Sequence, residues 1–135
     1  MKKHVDRTRS LEELEGHRWP EPPADATGLV QAVHTLRRRA VGSLTPTELG
    51  RLVGQNVGLP WTLRLAIDLL EQSASEQARG GFYDDDLLTA VLTRGPAIWR
   101  AEPELAQQVK KILGELRGLS PYVQEKVTEF DRSWP

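Results

Sequence analysis

Few side chains in this sequence have the type and spacing that catalysis or metal binding needs. The 135 residues include three histidines, His4, His17 and His34, and no cysteine. No two histidines have the i,i+4 spacing of a helical zinc site. The lack of cysteine excludes disulfides, a catalytic thiol and cysteine-based metal sites. We therefore predict no catalytic residue, no metal site and no cofactor.

The run Asp84-Asp85-Asp86 is the longest run of consecutive acidic residues in the chain. A calcium loop needs oxygen ligands at alternate positions and a glycine at the sixth, but the fifth and sixth positions here are Leu88 and Thr89. With Glu71 and Glu76 close in sequence, the run instead predicts an acidic edge where two helices meet. Such an edge is either a solvated helix cap or a docking surface that speeds the encounter with a basic partner.

Motifs for nucleophilic catalysis and for phosphate binding are missing. There is no Gly-x-Ser-x-Gly elbow, and the stretch from Gly54 to Gly58 lacks the Gly-Lys-Ser/Thr ending of a P-loop. A small hydrolase with dispersed carboxylates stays open as a third interpretation, although exposed carboxylates keep pKa values that serve poorly near pH 7. The formal net charge of −1 gives no support to a general polyanion binder.

The tripeptide Arg37-Arg38-Arg39 is the main feature that could bind nucleic acid. It stands at the end of a predicted helix, where cations also stabilise the negative end of the helix dipole. A helix-turn-helix over Thr45–Leu70 is the alternative interpretation, because two predicted helices there flank a glycine turn. Its recognition helix, Pro60–Gln72, would be largely apolar with one arginine and two acids, which offers little to phosphates or base edges. We therefore expect no nucleic-acid partner.

Helix signals recur along the chain, whereas the sustained apolar–polar alternation of strands is missing. Ser10 with Glu13, and Thr45 with Glu48, have the spacing of a capping box at a helix N-terminus. The patterns predict an all-α fold, a compact orthogonal bundle of six or seven short helices. The predicted helices begin after Ser10, at Thr27, at Pro46, at Pro60, after Asp84-Asp85-Asp86, at Pro103 and at Pro121.

The segment Pro60–Gln72 is apolar on more than one side, which predicts a central helix that is contacted from several directions. Residues 73–81 are expected to form a loop, or a frayed end and then a loop. Residues 96–100 are expected to form a short turn. Trp19 is predicted to anchor the extended proline segment that follows it. Three tryptophans are expected in the core: Trp61, Trp99 and Trp134.

The length of the chain is typical of one domain. We predict a flexible N-terminal tail at residues 1–9 and a single all-helical domain at residues 10–135. No apolar run approaches the roughly 18 residues of a membrane span, and the polar start does not look like a signal peptide. These features predict a cytoplasmic protein with no membrane partner, and they do not predict its oligomeric state.

Several blocks of the sequence, spread over residues 10–100, form one pattern. The first blocks are Ser10–Gly16, Trp19 with Pro-Glu-Pro-Pro after it, and His34-x-Leu36-Arg37-Arg38. The most specific block is Gly54-Gln55-Asn56-Val57-Gly58-Leu59-Pro60, and a later one is Gly81-Phe82-Tyr83 with the helix that follows it. Together the blocks resemble the immunity proteins of contact-dependent growth inhibition (CDI) systems, and the most specific one resembles the central signature of that family. Residues 101–135 add only helical periodicity.

The resemblance implies that the chain is a non-enzymatic protein ligand, which binds a cognate toxin domain and blocks it. Such toxins are often nucleases. We interpret the signature as structural: Gly54 and Gly58 shape a turn, Gln55 and Asn56 satisfy buried backbone groups, and Pro60 starts the central helix. The resemblance transfers no contact residue, so the docking surface is predicted from charge alone. The predicted toxin-binding residues are Asp84, Asp85, Asp86, Glu71 and Glu76.

Overall fold

The computed structural model describes residues 5–78, 85–116 and 118–133, and these residues form a helical bundle. They contain no strand, only one isolated β-bridge between Ser10 and Ala40. The predicted all-α class is therefore confirmed. A 3₁₀ turn covers Val41–Ser43. The helices are α1 Leu11–Glu15, α2 Gly28–Arg37, α3 Pro46–Gly54, α4 Leu59–Ala78, α5 Asp85–Leu92, α6 Pro96–Ala101, α7 Pro103–Glu115 and α8 Pro121–Ser133.

Helix α4 is the centre of the bundle, as predicted, and it contacts α3, α5 and α7. Its buried residues point in several directions because apolar side chains occupy more than one stripe. The helix continues to Ala78, so a loop that starts at residue 73 is wrong, whereas the alternative of a helix end before the loop agrees with residues 73–78. Residues 79–81 of the predicted loop lie outside the described part of the chain. This stretch has no glycine or proline, and Ala74 is fully buried in the core.

Helix α6 is longer than the short turn predicted for residues 96–100 and raises the number of helices to eight in the described ranges. Pro96 occupies its first turn, where the missing N–H group costs nothing.

Of the three tryptophans predicted in the core, Trp99 is fully buried, Trp61 is partly buried against the core, and Trp134 lies outside the described residues. The Nε1 of Trp99 donates to the carbonyl oxygen of Arg94 at 3.1 Å, and its ring meets Phe130 edge to face at 5.2 Å. This one side chain therefore connects α6, α8 and the end of α5.

Part of the predicted N-terminal tail lies against the 3₁₀ turn. The amide of Gly42 donates to the carbonyl oxygen of Arg7 at 2.9 Å, and the amide of Val41 donates to that of Arg9 at 2.8 Å. A Cβ atom at Gly42 would lie 2.9 Å from two atoms of Arg7, so a side chain there would push the two segments apart. Residues 7–10 are thus joined to the domain by backbone hydrogen bonds.

A buried arginine holds α1 and the proline-rich segment against α2. Arg37 is 1% exposed, although arginine is rarely so buried without a partner. Its Nη2 donates to Glu15 Oε1 at 2.9 Å and to the carbonyl oxygen of His17 at 3.0 Å. Its guanidinium lies 3.9 Å from the ring centroid of Trp19. Trp19 also packs against the hydrophobic core, so it anchors its segment as predicted.

We expect the substitution Arg37→Ala to lower the free energy of unfolding by about 2–4 kcal/mol, because it leaves the Glu15 carboxylate without its main partner and removes the cation–π contact. Urea titration followed by far-UV circular dichroism measures the change. Arg18→Ala is the matched control, since Arg18 is 73% exposed in its ion pair with Glu21 and should change the midpoint little. A loss at Arg37 no larger than that at Arg18 would contradict this role.

The capping box of α3 also stabilises the fold, and its contribution to the free energy of unfolding depends on pH. The backbone amide of Thr45 donates to Glu48 Oε1 at 2.9 Å, and Arg39 Nη1 donates to Oε2 at 2.6 Å. These two contacts, the backbone one foremost, lower the pKa of Glu48 below its ordinary value of 4.5. The stabilisation is therefore present above that value and is lost as the pH falls through the lowered pKa.

We therefore expect acidification from about pH 6 to about pH 3 to destabilise the wild-type protein more than the Glu48→Gln variant. The measurement is urea unfolding at both pH values for both proteins. Equal losses of stability on acidification would show that Glu48 makes no pH-dependent contribution.

Candidate docking surface

The signature residues form the connection between α3 and α4. Gly58 has a φ of +59°, as the glycine turn predicted, and its carbonyl oxygen accepts from the backbone amide of Thr62 at 2.8 Å. A Cβ atom at Gly58 would lie 2.8 Å from Cδ2 of the fully buried Leu11. Gly58 is thus required both by its backbone angle and by the close approach of α1.

The other signature residues differ in part from their predicted roles. Gly54 is the last residue of α3 and has open space where a Cβ atom would be, while α4 begins one residue before Pro60. Gln55 and Asn56 are exposed, so they do not satisfy buried backbone groups with their side chains as predicted. Asn56 has a φ of +57°, which asparagine tolerates better than most residues.

Asn56 instead contacts Arg94, a residue that the sequence analysis did not single out. Arg94 Nη1 donates to Asn56 Oδ1 and, at 3.4 Å, to the carbonyl oxygen of Gly54. Its Nε donates to the carbonyl oxygen of Ala90 at 2.9 Å. Arg94 therefore joins the C-terminal ends of α3 and α5, where the helix dipoles favour a cation. The available signal was a basic residue directly after a predicted helix.

Burial lowers the pKa of Arg94, because its partly buried guanidinium has lost solvent. Its acceptors among the described residues are all neutral: backbone carbonyl oxygens, the amide oxygen of Asn56 and the hydroxyl of Thr93. The guanidinium stays charged at any physiological pH, so it adds a positive charge where α3 and α5 end.

Asp86, one of the predicted docking residues, lines a groove of about 270 Å³ between α3 and α5. The same groove includes Gly54 and Gln55 of the signature, so two features that were predicted separately meet there. The carboxylate of Asp86 is exposed. The groove is lined by Pro46, Thr47, Gly50, Arg51, Gly54, Gln55, Asp86 and Leu87.

Glu71, another predicted docking residue, lies elsewhere, beside α7. Its Oε2 accepts from Gln108 Nε2 at 2.8 Å, and the same nitrogen lies 3.4 Å from Asp68 Oδ1. A second groove of about 300 Å³ runs between α4 and α7 here, lined among others by Lys111. The structure therefore places Asp86 and Glu71 in different grooves. Asp84 and the side chains of Asp85 and Glu76 lie outside the described part of the chain.

The sequence comparison identifies the family. A family model of CDI immunity proteins matches residues 13–109, which is more than half of the chain. The chain belongs to the CDI immunity protein family. This confirms the resemblance seen in the signature blocks, and it supports an immunity role. Neither curated proteins nor solved structures gave a match.

The part that matches the CDI immunity family contains the signature connection, the whole lining of the α3–α5 groove and that of the α4–α7 groove except Lys111. It starts inside α1 and ends within α7, so α8 lies outside it. Within the described residues of this immunity protein, no three histidine, aspartate or glutamate side chains are grouped so that they could hold a metal ion. No helix in the described ranges has the length and apolar character needed to cross a bilayer.

The arginines that could have bound nucleic acid are engaged inside the immunity domain. Arg37 is buried, Arg38 pairs with Glu21 and Glu12, and Arg39 pairs with Glu48. Helix α4, the recognition helix of a helix-turn-helix, is covered by its neighbours. Among its described side chains only Pro60, Asp68 and Gln72 are exposed. A recognition helix needs a free face to enter the major groove, and α4 offers little of one.

We expect Gly58→Ala to destabilise the domain by about 2–4 kcal/mol, since it combines a left-handed backbone angle with a clash against Leu11. Gly114→Ala in α7 is the matched control. Its new methyl group would meet no atom within 4 Å, and alanine favours a helix over glycine, so this variant should gain up to about 1 kcal/mol. Thermal and urea unfolding measure both, and a Gly58 variant as stable as wild type would refute the requirement.

Proposed function

We propose that this CDI immunity protein binds a cognate toxin domain in the cytoplasm and neutralises it by occlusion, without chemistry of its own. The family match over residues 13–109 is the observation that carries the proposal. The internal pairing of the arginine cluster and the covered state of α4 support a protein partner over a nucleic acid. In this proposal the rigid helical bundle presents a preformed surface, so binding needs little ordering of the backbone.

We infer that the toxin domain is a nuclease, the class that the family resemblance favours. A nuclease must attract phosphates and therefore carries cationic surface near its active site. Carboxylates on the immunity protein would meet that surface, speed the encounter and set its orientation. The proposed docking residues are Asp84, Asp85, Asp86, Glu71 and Glu76.

The expected size of the interface limits how these residues can be used. A stable complex buries about 1,200–2,000 Å² in total, with a few aromatic or apolar anchors. The two grooves are lined by eight and seven residues, whereas an interface of this size uses about 20–30 residues on each side, so the toxin would cover one groove together with the helix surfaces around it. Because Asp86 and Glu71 lie in different grooves, single substitutions at these two residues can show which face is used.

Co-expression tests the function directly. The probe is the C-terminal toxin domain of the effector encoded in the adjacent reading frame, expressed with and without this chain. We expect growth to be restored by the immunity protein, and we expect the purified domains to form a complex at nanomolar concentration. Continued killing while the immunity protein is folded and abundant would overturn the proposal.

The role of the acidic residues has its own test. We expect replacement of Asp84, Asp85 and Asp86 by alanine to slow association with the toxin domain by about tenfold at low salt and much less at high salt, because exposed charges act on the encounter rate. Stopped-flow mixing at about 20 mM and about 300 mM NaCl measures this. Glu71→Ala serves as the comparison on the other face. An unchanged rate for the triple variant would remove the acidic run from the docking surface.

A further inference from the structure

Of the eleven arginines whose side chains the structure describes, seven pair with a carboxylate, and the four that do not are Arg51, Arg94, Arg100 and Arg132. Arg51 in α3 is exposed, and its side chain makes no ion pair or hydrogen bond with any described residue. Its charge is therefore free for an external group. The arginines with a carboxylate partner are Arg7, Arg9, Arg18, Arg37, Arg38, Arg39 and Arg64.

Arg51 stands on the wall of the α3–α5 groove, whose exposed surface is mainly apolar. Gly50 and Gly54 leave the backbone of α3 open along this groove. A Cβ atom at Gly54 would meet nothing within 4 Å, and one at Gly50 would make an ordinary contact of 3.7 Å with Leu87. Packing within the domain thus does not require either glycine, although alanine would favour the helix by about 1 kcal/mol at an interior position.

Two charges of opposite sign line this groove, Asp86 from the first turn of α5 and Arg51 from α3. Neither makes an ion pair with a described residue. Arg94, which follows the last turn of α5, donates to neutral oxygens among the described residues, including the carbonyl oxygen of Gly54. The groove therefore presents one anionic and one cationic side chain that are available to a partner.

We propose, on the basis of the function proposed above, that the α3–α5 groove receives an exposed segment of the toxin domain that carries one acidic and one basic side chain. The acidic side chain pairs with Arg51, and the basic one pairs with Asp86. The segment lies close to the backbone of α3 over Gly50 and Gly54. A nucleic acid fits this groove less well, because its phosphates are all negative and Asp86 would repel them.

The charge part of the proposal is tested by reversing each charge and measuring affinity for the toxin domain of the adjacent effector. We expect Arg51→Glu and Asp86→Lys each to weaken binding by about tenfold or more, a typical cost of placing like charges together at an interface. Arg132→Glu in α8 is the matched control, since it is the same reversal at an exposed arginine that lines neither groove. It should change the affinity less than twofold.

The shape part is tested by filling the groove without changing its charge. Gly54→Leu places a side chain into open space, so the domain should fold, and we expect binding to fall by about tenfold or more through steric exclusion. Gly114→Leu in α7, also in open space, is the control and should bind as wild type. Circular dichroism and thermal unfolding confirm that each variant is folded before its affinity is compared.

The outcomes separate this inference from the function it rests on. If the wild-type chain does not bind or neutralise the toxin domain, the proposed function fails. If the wild-type chain binds but Arg51→Glu, Asp86→Lys and Gly54→Leu bind equally well, the toxin uses another face and the inference alone is overturned. Binding of wild type to labelled duplex DNA or RNA at low salt, lost in Arg51→Glu, would assign the groove to phosphate and also overturn it.

Discussion

The burial of α4 is the constraint on which the rest of this fold depends. A helix of 20 residues is about 30 Å long, and here its apolar side chains point in several directions, so neighbours must cover it on more than one side. Helices α3, α5 and α7 provide that cover. The start of α4 is set by Gly58, whose positive φ and contact with Leu11 bring α1 to the same point. Short helices that are unstable alone become stable by packing on this one element.

Local signals in the sequence predicted the structure correctly where the deciding interaction joins residues only a few positions apart. The capping boxes of Ser10 with Glu13 and of Thr45 with Glu48 both form, and the helices begin where they predict. Sequence patterns failed where a distant partner decides the structure. The last turns of α4 are held by the burial of Ala74, and α6 is held by the contacts of Trp99 with Arg94 and Phe130. No spacing rule connects such residues.

At the candidate docking surface, too, the residues could be predicted from the sequence, whereas their arrangement depends on distant contacts. The sequence identified Asp86 and Glu71 as charged residues between two helices, but it could not show that they belong to different grooves. Asp86 lies where α5 packs against α3, and Glu71 lies where α4 packs against α7, so the two carboxylates are on different faces of the domain. Arg94 was missed for a related reason, because its partners Gly54 and Asn56 lie about 40 positions earlier in the chain.

The distribution of paired and unpaired arginines links the fold to its proposed role. Arg37, Arg38 and Arg39 form the most basic run in the sequence, yet each pairs with a glutamate and holds α1, the proline segment or the cap of α3 in place. An arginine that is paired with a nearby glutamate attracts an external partner less strongly, because the glutamate neutralises its charge. We propose that specific recognition depends on charges that have no ion-pair partner among the described residues. Arg51 is isolated from the other arginines in the sequence, whereas Asp86 ends the acidic run Asp84-Asp85-Asp86. The packing of α3 against α5 puts both residues on one groove, and a partner with complementary charges can match them.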